Sequence, residues 1–308
     1  MLLHNRTMSE AQADRLERGL DLLTGRKGAY GPEEGAALVR AAAGAGDAEA
    51  CARMAVLAAT GSGVAQDWAE ALDWLHRSGN AEQLAVLQAE ADTRGEPLDL
   101  AKLAVARAPE VKSERPRILA WPGFATRETC AWIRRRGGER LKRAMVNDSV
   151  RGGFQQDRMR TNSVAGFGLA DTDLVMTLVR ARIASAVGLP LSQFEAPNVL
   201  HYEPGQQFAP HVDFVAIGVP AFARELAILG QRVVTALLYL NEGYEGGETA
   251  FPLVSLRHKG AEGDLMVFHN VDERGRPDQS TVHAGTPPTS GEKWVLSQWI
   301  RDRPQPPV

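Results

Sequence analysis

His211-Val212-Asp213, with His283 far downstream and Lys293 beyond it, constrains this chain more than any other feature. Alternate side chains of an extended strand share a face, so His211 and Asp213 can meet one metal ion from a single strand. His283 must then be carried back to them from a distant strand. Two imidazoles and one carboxylate make a facial ligand set that suits Fe(II) and leaves coordination positions open for chemistry. Lys293 supplies a fixed cation for the far end of such a pocket.

The segments between these residues read as strands of a sandwich or barrel. Val233 to Leu240 is a continuous apolar run that stops at Asn241-Glu242-Gly243. Gly246-Gly247 is a turn before a short strand through Phe251, Gly263-Asp264 precedes Leu265 to Phe268, and Trp294 to Ile300 runs on from Lys293. Short strands punctuated by Gly, Asn and Pro are the pattern of an all-β sandwich or barrel.

Several ordered motifs now resemble one family, the prolyl 4-hydroxylase group of Fe(II)/2-oxoglutarate dioxygenases. They are Tyr202-Glu203-Pro204-Gly205-Gln206, His211-Val212-Asp213, Gly230-Gln231-Arg232-Val233-Val234-Thr235 and Tyr239-Leu240-Asn241. Gly246-Gly247-Glu248-Thr249, His283-Ala284-Gly285-Thr286-Pro287 and Gly291-Glu292-Lys293-Trp294 complete the series, and the resemblance spans about 116–303. It implies an α+β chain whose C-terminal part is a double-stranded β-helix, a jelly-roll or cupin-like barrel with supporting helices. His211, Asp213 and His283 would be the iron ligands, and Lys293 would bind the distal carboxylate of 2-oxoglutarate. Tyr202, Thr249 and Thr235 are further candidates for the cosubstrate pocket. The implied activity is hydroxylation, with O2, of a C–H bond in a peptide, a protein side chain (prolyl or other) or an amino acid. Succinate and CO2 would be released, and ascorbate is a candidate reductant. Related halogenases lack the carboxylate ligand, so Asp213 favours hydroxylation.

The resemblance also points to substrate residues. Arg160, Glu195 and Trp299 stand where peptide-hydroxylating members carry an arginine, a glutamate and a tryptophan. Two positions depart from that pattern: Asn162, followed by Ser163, replaces a serine, and Arg301 stands where some members have histidine. Outside the family motifs, Arg160 reads equally well as a surface arginine and Trp299 as core. Of the other histidines, His201 neighbours Tyr202 and should face away from it, whereas His258 and His269 fit no motif.

Residues 10 to 105 are of another kind, rich in Ala, Leu and Glu with few strand formers. Leu16, Leu20 and Leu23 mark one amphipathic helix. Ala48, Cys51, Ala52, Ala55 and Ala59 mark another, and Ala71, Leu72, Trp74 and Leu75 a third, after the turn at Gly61 to Asp67. This helical hairpin resembles the Sel-like class of tetratricopeptide-related repeats, whose period is about 34 residues. A weaker copy around Gly31 to Ala43 precedes it, and 80–105 would be a third hairpin or a cap. The division expected is a helical-repeat region at 1–110 and a dioxygenase domain at 111–308, with 106–116 as linker. The repeats imply either a docking surface for a peptide or protein substrate or a packing appendage. Asp173 to Val187 is expected to be a supporting helix of the barrel, and 144–168 and 215–231 to be substrate-covering loops.

Net charge is -3, which gives no support to bulk electrostatic binding of nucleic acid. No apolar run reaches the length of a membrane span, and Met1-Leu2-Leu3 runs at once into polar residues, so no secretory signal is visible. Cys51 and Cys130 are the sole cysteines and form no zinc pattern or disulfide framework, pointing to a reducing, cytoplasmic setting. The competing function class is a noncatalytic repeat scaffold whose barrel only senses 2-oxoglutarate or metal. The complete ligand set followed by Lys293 favours the enzyme.

Overall fold

Asp47, Asp67 and Asn80 each cap a helix by accepting a backbone N–H in its first turn, and Gly61, Gly79 and Gly95 each end one in the left-handed conformation. Such capping residues fix where the helices of the N-terminal region begin and stop. In this computed structural model, residues 2–147, 154–155 and 159–306 are described. The chain divides into two compact units, one of residues 1–106 with 167–185, the other of 107–166 with 186–306.

The first unit is helical: α1 (Leu2–Thr24), α2 (Pro32–Gly44), α3 (Ala48–Thr60), α4 (Trp68–Ser78), α5 (Ala81–Arg94) and α6 (Leu100–Leu103). α1 and α2 cross at Gly19 and Gly35, where a Cβ on either residue would lie within 2.8 Å of the other's carbonyl oxygen. In α3, Ala55, Ala58 and Ala59 are fully buried, the close-packing role expected of small residues at helical spacing.

The second unit holds α7 (Arg127–Gly138) and strands β1 (Glu110–Ser113), β2 (Ile118–Trp121), β3 (Lys142–Arg143), β4 (Val146–Asn147), β5 (Phe154–Gln155) and β6 (Ser163–Gly166). The next helix, α8 (Leu174–Val187), belongs largely to the helical unit. Within it Arg182 donates to Glu90 at 2.8 Å and to the Leu103 carbonyl, and Gln83 accepts the N–H of Leu174. The helix expected to support the barrel is therefore joined to the N-terminal helices. The expected linker is also partly a strand, because β1 pairs with β2.

Beyond α8 come β7 (Asn198–Tyr202), β8 (Phe208–His211), α9 (Pro220–Leu229), β9 (Arg232–Tyr239), β10 (Glu245–Gly246), β11 (Thr249–Phe251) and β12 (Leu256–His258). β13 (Leu265–His269), β14 (His283–Gly285), β15 (Pro288–Ser290) and β16 (Lys293–Arg301) complete the chain. The larger sheet runs β1-β2-β13-β9-β16-β7-β6-β3, and the smaller β12-β11-β14-β8. Chain order alternates between them: β7 in the larger sheet, β8 in the smaller, β9 larger, β11 and β12 smaller, β13 larger, β14 smaller, β16 larger. Antiparallel pairing in that order is a double-stranded β-helix. Its core gathers Leu237, Tyr239, Phe251, Met266, Phe268 and Val295.

Of the two segments expected to be loops, 215–231 contains α9, with Pro220 in its first turn and Gly230 at its end with φ 76°. No α9 residue is fully buried. Part of 144–168 lies outside the described residues. Among the described residues no helix is long and apolar enough to cross a membrane.

Candidate metal and cosubstrate site

β8 and β14 are neighbours in the smaller sheet, and their register sets His283 opposite His211. The imidazole centroids lie 4.3 Å apart. Both rings are held from behind. Nδ1–H of His211 donates to the Ala209 carbonyl at 2.8 Å, and Nδ1–H of His283 to the Thr281 carbonyl at 3.0 Å. A carbonyl can only accept, so each ring carries a proton on Nδ1, and Nε2 is the nitrogen that can ligate. Those two Nε2 atoms flank the Asp213 carboxylate, each 3.6 Å from one of its oxygens. All three donors lie within 4.8 Å of one another, which fits a single metal ion.

Asp213 reaches this position differently from expectation. β8 ends at His211, so Asp213 sits in the bend beyond the strand. Its carboxylate is buried and accepts from Thr235 Oγ1 at 2.7 Å. Burial pushes the Asp213 pKa upward, but on balance it is lowered, and the Thr235 hydrogen bond is among the contacts that favour the charged form. Burial and the neighbouring His211 lower His283 to about 4, which keeps the imidazole neutral and able to ligate. Phe208 stacks on His211 at 3.5 Å, and Phe268 packs against His283 at 4.6 Å.

A small cavity, partly open to solvent, lies in front of these donors. Lys293 lines it, 2% exposed, with Nζ donating to the Gly247 carbonyl at 2.7 Å. Burial lowers its pKa to about 7, opposed by Glu248. No carboxylate lies within ion-pair distance of Lys293 among the described residues, so this ammonium fits an incoming acid group such as the end of a dicarboxylate. Gly247 is needed where it is, because φ is +69° and a Cβ there would lie 2.9 Å from the Tyr244 ring. The Gly246-Gly247 turn therefore frames the pocket as well as reversing the chain.

Tyr202 and Thr249 also line the cavity, and burial raises the Tyr202 phenol to about 12. Thr249 Oγ1 is hydrogen-bonded to Tyr239 Oη at 2.9 Å. Thr235 stands elsewhere: it is absent from the cavity wall and serves the Asp213 carboxylate. Sequence reasoning missed its partner Asn270, whose Nδ2 donates to Thr235 Oγ1 at 3.0 Å. His201 turns away, as alternation requires, and pairs with Glu292 at 3.0 Å.

The three substrate candidates separate. Arg160 and Trp299 line the cavity, with the Arg160 guanidinium 4.6 Å from the centre of the Phe208 ring. Glu195 does not line it. Its carboxylate accepts two bonds from Arg232, at 2.7 and 3.0 Å, and one from Arg301 at 2.6 Å. Arg232 in turn stacks over Trp299 at 3.8 Å, so Glu195 braces the cavity wall from behind. Nothing in the local sequence announces this, because its partners come from strands far along the chain.

Residues 197–301 match the family described as 2OG-Fe(II) oxygenase superfamily. Probable prolyl 4-hydroxylase 9 of Arabidopsis thaliana is 33% identical over 215 residues, covering 64% of this chain and 72% of its own. Prolyl 4-hydroxylase 1 of the same plant is 33% identical over 211 residues, 63% and 72% of the two chains. A solved viral collagen prolyl hydroxylase from Paramecium Bursaria Chlorella virus-1, in complex with 2OG, is 22% identical with a TM-score of 0.46. It covers 59% of this chain and 94% of its own. Fold and site define a 2-oxoglutarate-dependent dioxygenase, and the chain belongs to the prolyl 4-hydroxylase family of 2OG-Fe(II) oxygenases. The family works with Fe(II), 2-oxoglutarate and O2.

Proposed function

We infer that this chain hydroxylates a C–H bond of a prolyl or other side chain in a peptide or protein. The single observation that carries the reading is one cavity lined by His211, Asp213, His283 and the buried, carboxylate-free Lys293. When bound, Fe(II) with 2-oxoglutarate and O2 supplies the oxidation of the C–H bond, and 2-oxoglutarate leaves as succinate and CO2. His211, Asp213 and His283 would hold the metal. Lys293 binds and orients the distal carboxylate of 2-oxoglutarate through a charge-assisted hydrogen bond, with Tyr202 and Thr249 beside it. The apolar wall of Leu200, Leu237 and Val295 keeps water from the reacting groups.

Arg160 and Trp299 hold the substrate. Arg160 suits a carbonyl or carboxylate of the substrate backbone, and the Trp299 indole suits the flat face of a ring. Glu195 acts by holding Arg232 under Trp299. The helices of residues 2–103 dock the rest of a macromolecular substrate, a role supported by their resemblance to partner-binding repeats. A noncatalytic scaffold has no comparable use for two facing histidines, a buried carboxylate and a buried lysine in one cavity.

The test supplies Fe(II), 2-oxoglutarate and O2 with poly(L-proline) or a mixed peptide library, and reads succinate and peptide mass together. The reading expects peptides that gain one oxygen in step with succinate. Succinate formation that no peptide or protein accelerates would overturn the assignment of the substrate class.

A further inference from the structure

The Asp213 carboxylate is held by more than the fold of its loop. Thr235 Oγ1 donates to Oδ2 of Asp213 at 2.7 Å, and Asn270 Nδ2 donates to Thr235 Oγ1 at 3.0 Å. A threonine hydroxyl has one proton, so the direction of this chain is set by its last member. Because the Asn270 amide supplies a donor, the Thr235 proton is free to go to Asp213. With the amide reversed, two acceptors would compete for that proton.

Asn270 is fully buried, and its main chain is pinned on both sides. Its N–H donates to the Val233 carbonyl at 2.8 Å, and its carbonyl accepts from Asp278 at 3.0 Å. Its Oδ1 is buried with no hydrogen-bond partner among the described residues. An asparagine kept only for stability would not leave that oxygen orphaned, and a leucine of similar size would avoid the penalty. The amide therefore serves what its nitrogen does.

We propose that Asn270 is a positioning residue that, through Thr235, fixes the rotation of the Asp213 carboxylate between the two histidines, and so the way it meets the metal. A carboxylate released from Thr235 can turn out of the orientation that sets each oxygen 3.6 Å from a histidine Nε2, which changes how it meets the ion. The inference rests on the metal-site reading above and adds to it what fixes the orientation of the carboxylate ligand.

Co(II) alone, titrated into the full-length protein, tests this without any substrate, because its visible absorption reports coordination number. Thr235→Val keeps the side-chain shape and Asn270→Leu keeps the volume. Both should weaken Co(II) binding, within the range of about 10- to 100-fold found when groups behind a metal ligand are lost. Asn270→Leu should fall at the lower end, both should shift the Co(II) band, and Thr235→Ser should restore the wild-type spectrum. Asn270→Leu should also melt no earlier than wild type, a combination that a purely structural asparagine would not give. Wild-type affinity and spectrum in Thr235→Val and Asn270→Leu would overturn the relay while leaving the metal site intact. If Asn270→Leu fails to fold, the asparagine is structural, and Thr235→Val then decides the hydroxyl's part alone. If Asp213→Ala binds Co(II) like wild type, the metal-site reading fails and the relay with it.

Discussion

Oε1 of Glu195 accepts the Nε–H of Arg301 at 2.6 Å, inside the wall of the barrel. Arg301 is 1% exposed, and its remaining nitrogens donate to the Gly230 carbonyl and to Glu225. One arginine thus ties the segment before β7 to the middle and the C-terminal end of α9, at the position where some relatives were expected to carry histidine.

Glu195→Gln should therefore act on stability before it acts on chemistry. It keeps the shape but leaves Arg232 and Arg301 without their shared countercharge. A loss of about 2–4 kcal/mol is expected, less than for a fully buried pair because the carboxylate retains some exposure. Burial raises the Glu195 pKa, but the two arginines outweigh it and hold the pKa below the ordinary carboxylate value. The stabilisation is then present above that ordinary value and lost as pH falls through the depressed one. Urea denaturation at neutral and acid pH checks both points; a mutant within 0.5 kcal/mol of wild type at neutral pH, on the order of an ordinary surface change, would remove the brace.

Lys293 gives a slope of the same sign in a higher pH window. Burial lowers it to about 7, against about 10.4 in an unfolded chain. Between those values the unfolded state binds a proton that the folded state does not, so stability of the cosubstrate-free protein should rise with pH across that window. Lys293→Met should flatten the rise in thermal melts. Affinity for 2-oxoglutarate should fall as pH climbs above about 7. Lys293→Ala should cost on the order of 1.5–3 kcal/mol of binding, read by calorimetry; unchanged affinity would make the lysine structural.

How much of this was readable beforehand depends on where each signal lies. β9, β13 and β16 were legible because each is an apolar run ended by a turn, and His211, His283 and Lys293 because they sit inside dense motifs. Asp213 lies with the two histidines although its strand stops early, since a bend can deliver a carboxylate as well as a strand can. Thr235 lies behind Asp213 and outside the cavity wall: alternation gives the face of the sheet but not which neighbour the hydroxyl reaches. Glu195, Arg301 and Asn270 were illegible for a shared reason. Their partners are set by cross-strand register, such as the Phe194–Ile300 bridge, which no local pattern encodes. α9 was hidden because none of its residues is fully buried, leaving turn formers at its flanks as the stronger signal.

Gly247→Ala tests the frame around the lysine. A methyl there meets both a left-handed backbone and the Tyr244 ring at 2.9 Å. A loss of about 1–3 kcal/mol is expected, together with weaker 2-oxoglutarate binding, because the Gly247 carbonyl holds Lys293 Nζ. Wild-type stability and affinity in this variant would show that the loop tolerates the change.

Removal of residues 1–106 probes the helical unit. α8 has Leu174, Val175, Met176, Leu178, Val179 and Ile183 buried, and Arg182 forms an ion pair with Glu90. Without its partners α8 would present a large apolar surface and an uncompensated buried arginine. The truncated protein should be insoluble or melt far earlier than the full chain. A soluble truncation that melts like the full chain would show that α8 needs none of these contacts. If it also acted fully on a protein substrate, the docking role proposed for the helices would fall as well.

The central claim is that His211, Asp213 and His283 form a working metal centre facing a 2-oxoglutarate pocket. Succinate production from 2-oxoglutarate by the metal-stripped full-length protein, with and without added Fe(II), tests it most directly, alongside His211→Ala, Asp213→Ala and His283→Ala. The account predicts turnover that appears with Fe(II) in the wild type and is abolished in each mutant while the fold persists. Turnover that ignores Fe(II), or that survives in any one of the three mutants, would contradict it.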